Sequence, residues 1–144
     1  MRKWLDGEAD RAHWARELLT PTRIYVDAIM GLREVLGEKL TGLAHITGSG
    51  LLNVPRMNPA WSYHIDQMPT DGDLAPGMAH FFRKSELSAA ELARTFNCGV
   101  GMVLATSAPI DAMAWLQARG EKAWVLGEVR EGEAETIHLR GVTL

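Results

Sequence analysis

One apolar run closed by glycine at both ends, Gly42-Leu43-Ala44-His45-Ile46-Thr47 followed by Gly48, constrains this chain most. It is too short for a helix and reads as a buried strand. The continuation Gly48-Ser49-Gly50 is a tight turn, and Leu51 to Asn53 are expected to start a helix before Pro55. Helical and extended patterns alternate around this unit. Ala12, Ala15, Leu18 and Leu19 fall at helical spacing within residues 9–19, and Pro21 disfavours helix at Thr20. Residues 22–26 are β-branched and extended in character. Residues 27–40 then carry Ile29, Leu32, Val35, Leu36 and Leu40 on one stripe, predicting a second helix.

The stretch 56–77 is punctuated by Pro59, Pro69, Pro76 and Asp71-Gly72, and reads as loop around one short strand near residues 62–66. Ser88-Ala89-Ala90-Glu91 has capping-box spacing, which predicts a helix through about Arg94. Residues 99–106 read as a strand apolar on both faces. Ser107 and Pro109 then open a helix that Gly120 closes, with Ile110, Met113 and Leu116 expected to face inward. Strands at 123–129 and 136–140, separated by Arg130-Glu131-Gly132-Glu133, are expected to form a hairpin. Together these predict an α+β fold, a layered α/β arrangement in which a mixed β-sheet is packed by helices, as a single domain over residues 1–144.

Composition narrows the class. A chain of 144 residues buries about 68–70% of its unfolded surface and folds without a metal or disulfide. The formal net charge of −3 is too mild to predict a nucleic-acid or membrane partner. Cys98 is the sole cysteine, which excludes an internal disulfide and fits a reducing compartment. The first residues lack the apolar core of a signal peptide, and no window approaches the roughly 20 apolar residues of a membrane span. A cytoplasmic protein is the expectation.

The glycine turn carries the most chemistry. A strand that delivers such a turn onto a helix N-terminus aims backbone N–H groups at an anion, phosphate above all. By strand alternation His45 and Thr47 share a face, with Gly48, Ser49, Gly50, Asn53 and Arg56 within reach of the same mouth. From spacing alone the glycines are more often a plain tight turn than an anion site, and His45 more often a hydrogen-bonded core histidine than an acid or base. In Asn97-Cys98-Gly99-Val100-Gly101, Gly99 and Gly101 would share a strand face and admit close approach of a ligand or of a packed helix, and Asn97 would bind a ligand or cap the turn. His13, His45, His64, His80 and His138 show no metal-ligand spacing, so no metal site is expected. No local motif marks Cys98 as a nucleophile, and the five tryptophans read as packing residues.

Several segments together resemble one family. They are Leu19-Thr20-Pro21-Thr22-Arg23-Ile24-Tyr25-Val26, the segment from Gly42 to Arg56, Arg94-Thr95-Phe96-Asn97-Cys98-Gly99-Val100-Gly101-Met102, and Gly120-Glu121-Lys122-Ala123-Trp124 with its continuation to Val129. In order, and over nearly the whole chain, these are similar to the C-terminal half of aminoimidazole ribonucleotide synthetase, the phosphoribosylformylglycinamidine cyclo-ligase family of purine biosynthesis. Related synthases and kinases of the same superfamily match these segments less well.

The resemblance implies ATP-dependent closure of the imidazole ring of formylglycinamidine ribonucleotide. It implies a substrate-phosphate wall built from His45, Thr47, Gly48, Ser49, Gly50, Asn53, Arg56, Asn97, Gly99 and Gly101. ATP and Mg²⁺ would be held mostly by an N-terminal half outside this chain, with no cofactor bound by this domain alone. The implied partners are the phosphorylated ribonucleotide, a separate N-terminal half or a second copy. Activity of this domain alone is not expected, and a stand-alone binding or assembly module is the alternative. Ser49 departs from the family's middle glycine. If the position needs positive φ, serine is strained there; if not, its hydroxyl adds a donor.

Overall fold

Local signals translate into most of the elements, and the departures arise where distant segments meet. The computed structural model describes residues 2–144. Helices α1 (Arg2–Asp6), α2 (Arg11–Leu18) and α3 (Val26–Leu36) lead to strand β1 (Leu40–His45). A 3-10 helix (Gly50–Met57) and β2 (Trp61–Ile65) follow, then α4 (Pro76–Lys84), α5 (Ala89–Thr95), β3 (Met102–Thr106) and α6 (Pro109–Gln117). Strands β4 (Gly127–Glu131), β5 (Ile137–Leu139) and β6 (Val142–Thr143) complete the chain.

The fold is α+β, with the strands divided between two sheets. β1 and β3 form an antiparallel pair, and the second sheet has the order β4-β2-β5-β6. The expected hairpin between the last two long strands does not form. β2 lies between them, antiparallel to β4 and parallel to β5. Burial explains this: Ile137 and Leu139 of β5 and Tyr63 and Ile65 of β2 are all buried, whereas every residue of β4 is exposed, as suits an edge strand. The hairpin that does form joins β5 to β6 through Arg140-Gly141, both at positive φ, the combination that a two-residue type I′ turn requires.

Two apolar clusters hold the layers. One joins Ala44 of β1, Ile46 just after it, Leu51 and Val54 of the 3-10 helix, Ala93 of α5 and the inner residues of β2 and β5. The other packs Leu32 and Leu36 of α3 against Ala112 and Leu116 of α6. Each large side chain so buried contributes about 1.5–3 kcal/mol relative to exposure. The inward stripe of α6 is therefore the i, i+4 pair Ala112 and Leu116; Ile110, expected inside, stands 75% exposed in the first turn. Val35 is likewise exposed on α3, and Leu40 leaves the helix because Gly37, at φ 54, ends it.

Helix α4 was hidden by Pro76, which reads as a loop residue but occupies the first helical turn, where its absent N–H costs nothing. It packs on α2 with Gly77 against Glu17 and Leu18, and His80 stacks on Trp14 at 4.1 Å. Phe81 meets Trp4 and Phe96 edge-on, linking α1 and α4 to the end of α5.

The capping box at α5 forms as the spacing predicts: the Glu91 N–H donates to Ser88 Oγ at 3.3 Å, and the Ser88 N–H donates to the Glu91 carboxylate at 2.8 Å. Ser88→Ala is expected to lower stability by about 1 kcal/mol, read as a shift of the urea midpoint with unchanged slope.

Candidate functional site

β1 alternates as its composition demands: Ala44 and Ile46 point into the core, while His45 and Thr47 are exposed on the opposite face. Beyond the ladder the Ile46 N–H still donates to the Gly101 carbonyl at 2.9 Å, so the turn after β1 is carried beside the segment entering β3. Ser49 and Gly50 both take left-handed conformations, at φ 74 and φ 52, and the Gly50 N–H closes the turn on the Thr47 carbonyl at 3.1 Å. Asn53, only 4% exposed, donates its Nδ2 to the Gly48 carbonyl at 2.9 Å and the Gly50 carbonyl at 2.8 Å. The N–H groups of Thr47, Gly48 and Ser49 have no hydrogen-bond partner among the described residues, and all three residues are exposed. Consecutive free N–H groups in a turn of this kind form an anion-binding concavity.

Gly50 also fixes where the turn sits. A Cβ there would come within 2.1 Å of the Ala93 carbonyl oxygen and 2.5 Å of that of Phe96, so only glycine permits this close seat on the end of α5. Ser49 has no such obstruction but does hold positive φ, a conformation that strains a side-chain-bearing residue by about 1–2 kcal/mol.

The segment 97–101 differs from expectation. It is a turn rather than the start of β3: Cys98 and Gly99 are at φ 49 and φ 83, and Asn97 Oδ1 accepts from the Gly99 N–H at 3.2 Å. Gly99 and Gly101 therefore do not share a strand face. Gly101 lies under the phenol of Tyr25, where an added Cβ would stand 1.8 Å from the hydroxyl oxygen. The same ring meets His45 edge-on at 5.8 Å. His45 is exposed and makes no hydrogen bond among the described residues, so it is not a core histidine.

The fold thus brings His45, Thr47, Gly48, Ser49, Gly50 and Gly101 together. Asn53 and Asn97 are drawn into holding the two turns. Arg56, near the end of the 3-10 helix, is exposed with no ion-pair partner among the described residues. Tyr25 was not singled out from the sequence, because only the tertiary pairing shows that Gly101 is its seat.

Between the two sheets lies an open cavity of about 790 Å³, which Tyr25, Gly99 and Gly101 line together with β3, Met68 and Trp124. Two ion pairs stand on its wall, Arg23 with Glu121 at 2.8 Å and Lys122 with Asp73. On the second sheet, His64 and His138 face each other across β2 and β5 with stacked rings 4.4 Å apart. Ser62 Oγ lies 3.2 Å from His64 Nε2, but among the described residues no three His, Cys, Asp or Glu groups converge as metal ligands would.

Comparison with known proteins places these features in a family. Residues 3–140 match the family model described as AIR synthase related protein, C-terminal domain. A phosphoribosylformylglycinamidine cyclo-ligase from Paraburkholderia phymatum is 40% identical over 141 residues, covering 92% of this chain and 38% of the relative. Those from Burkholderia cenocepacia and Methylobacillus flagellatus are 41% and 37% identical over 130 and 126 residues, covering 85% and 83% of this chain and 36% of each relative. The chain spans little more than a third of the length of these relatives.

The turn geometry makes opposite substitutions distinguishable. Ser49→Gly is expected to raise stability by up to about 1 kcal/mol through relief of the left-handed strain, partly offset by unfolded-state entropy. Gly50→Ala is expected to lower it by about 3 kcal/mol or more, since backbone must move at the α5 seat; chemical denaturation of both reads the two signs. Burial pushes the Cys98 thiol up to about 11, so it stays protonated at neutral pH. Alkylation by iodoacetamide is therefore expected to be slow at pH 7–8 and to accelerate only as pH approaches that value, followed by intact mass.

Proposed function

The chain belongs to the AIR synthase related family as its C-terminal domain, and from that premise we propose that it is the substrate-side domain of a phosphoribosylformylglycinamidine cyclo-ligase. In this reading the whole enzyme closes the imidazole ring of formylglycinamidine ribonucleotide. ATP phosphorylates the formyl oxygen, the amidine-derived nitrogen attacks the activated carbon, and phosphate leaves, giving aminoimidazole ribonucleotide, ADP and phosphate.

The observation that carries the reading is the turn with three exposed, unpartnered N–H groups at Thr47, Gly48 and Ser49. They suit the 5′-phosphate of the ribonucleotide, each charge-assisted bond being worth about 1.5–3 kcal/mol. Arg56 and His45 stand on the exposed side of the same unit and supply positive charge or a further donor. Asn53 and Asn97 act indirectly, by holding the turns in shape. In this reading Mg²⁺ is not held by this domain; among the described residues no three His, Cys, Asp or Glu side chains converge as metal ligands would. ATP and Mg²⁺ are accordingly assigned to the part of the enzyme corresponding to the remainder of the relatives, and the domain is inactive alone.

A second reading, an assembly module without catalysis of its own, is favoured by one feature: Leu19, Ile24 and Val26 stand exposed in a short stretch of chain. A separate N-terminal half or a second copy of the chain would cover them. No helix among the described residues is long and apolar enough to cross a membrane, and the net charge of −3 does not favour nucleic acid.

Titration of the chain with formylglycinamidine ribonucleotide, followed by an ADP-release assay with and without the N-terminal portion of a relative, tests both. The expected outcome is substrate binding by the chain and ADP release only when the second component is present. Turnover by the chain alone would refute its proposed incompleteness, and absence of substrate binding under both conditions would favour the assembly module.

A further inference from the structure

Tyr25 combines four properties that structural packing alone does not require. Its phenol lies so close to the backbone of Gly101 that no side chain fits beneath it. Its ring meets His45, the residue that leads into the phosphate turn, edge-on at 5.8 Å and an interplanar angle of 70°. It lines the cavity between the sheets, while being only half-buried. Its hydroxyl bonds to no protein group among the described residues and is not a buried atom, so it is open to a ligand.

The backbone that carries the ring is also anchored. Tyr25 is the residue on which α3 starts, its carbonyl accepting from the Ile29 N–H at 2.9 Å, and Arg23 two residues earlier is tied to Glu121 at 2.8 Å. An aromatic ring that lines the cavity and meets His45, two residues before the free N–H groups, is arranged to receive a flat group attached to an anionic one.

We propose that Tyr25 is a specificity-determining residue: its ring, seated on Gly101 and set against His45, stacks on the planar, nitrogen-rich end of a phosphorylated ligand whose phosphate occupies the N–H groups of Thr47, Gly48 and Ser49. The inference rests on the phosphate reading of that turn and adds to it the subsite for the other end of the ligand. The cavity of about 790 Å³ behind the ring has room for such a group. The free hydroxyl offers it one further hydrogen bond.

The test compares three probes on the full 144-residue chain by NMR titration. Inorganic phosphate reports the turn, ribose 5-phosphate adds the sugar, and 5-aminoimidazole ribonucleotide adds the planar end. All three are expected to shift the amide signals of Thr47, Gly48 and Ser49. Only the imidazole ribonucleotide should shift the Tyr25 ring protons, and it should bind about tenfold more tightly than ribose 5-phosphate.

Tyr25→Phe should keep most of that ratio. Tyr25→Leu should bring it near unity while leaving inorganic phosphate affinity unchanged. A wild-type ratio near one, ring protons that do not move, or a ratio that survives Tyr25→Leu overturns the assignment of Tyr25 while leaving the phosphate turn standing. A Tyr25→Phe loss as large as that of Tyr25→Leu overturns stacking as the cause. If inorganic phosphate and ribose 5-phosphate leave the turn amides unmoved, the phosphate reading itself fails and the Tyr25 subsite with it. The ring-proton measurement on the unaltered chain decides the matter even if a variant does not fold.

Discussion

The seat of Gly50 on the carbonyl oxygens of Ala93 and Phe96 is the contact on which the rest of the arrangement depends. It joins the unit made of β1, the glycine turn and the 3-10 helix to the unit made of α5, the second turn and β3. The β1–β3 ladder and the Ile46 to Gly101 hydrogen bond then follow in register. Leu51, Val54 and Ala93, all almost fully buried, close the space around the seat. With these neighbours buried around it, the backbone at Gly50 has little room to retreat, so the absence of a side chain at this one residue sets the spacing of two layers.

The same contact explains why the turn is poised for an anion. A tight turn normally satisfies its polar groups internally or with water. Here the buried amide of Asn53 engages the carbonyls of Gly48 and Gly50, and the N–H groups of Thr47, Gly48 and Ser49 are left without a partner among the described residues. The electrostatic character of the site is therefore produced by a residue that does not itself face the ligand. Ser49 occupies a position of positive φ within this frame, and its strain is tolerated because the bonds on either side over-determine the turn.

Division of the strands into two sheets has the second large consequence. With β3 paired only to β1, its other side borders the cavity, and Tyr25 reaches Gly101 across that opening. The ion pairs Arg23–Glu121 and Lys122–Asp73 bring the segment before α3 and the turn before α4 to the stretch between α6 and β4, so the cavity wall is assembled from parts distant in the chain. Exposed ion pairs of this kind contribute little stability, which leaves burial in the two apolar clusters as the main force holding the walls.

Much of this protein was legible in its residues. The glycine-bounded run gave β1 and its turn, alternation placed His45 and Thr47 on one exposed face, and Ser88 with Glu91 announced α5. Motif resemblance identified the family, which the match over residues 3–140 establishes. These are matters of local sterics and hydrogen bonding, which neighbouring residues settle among themselves. Insertion of β2 between β4 and β5, the start of β3 at Met102 rather than Gly99, and the exposure of Ile110 were decided elsewhere. So were the engagement of Asn53 with the turn and the meeting of Tyr25 with Gly101. Each depends on which apolar surfaces find one another across long stretches of chain, and burial free energy, being non-directional, names no partner until the whole core is assembled.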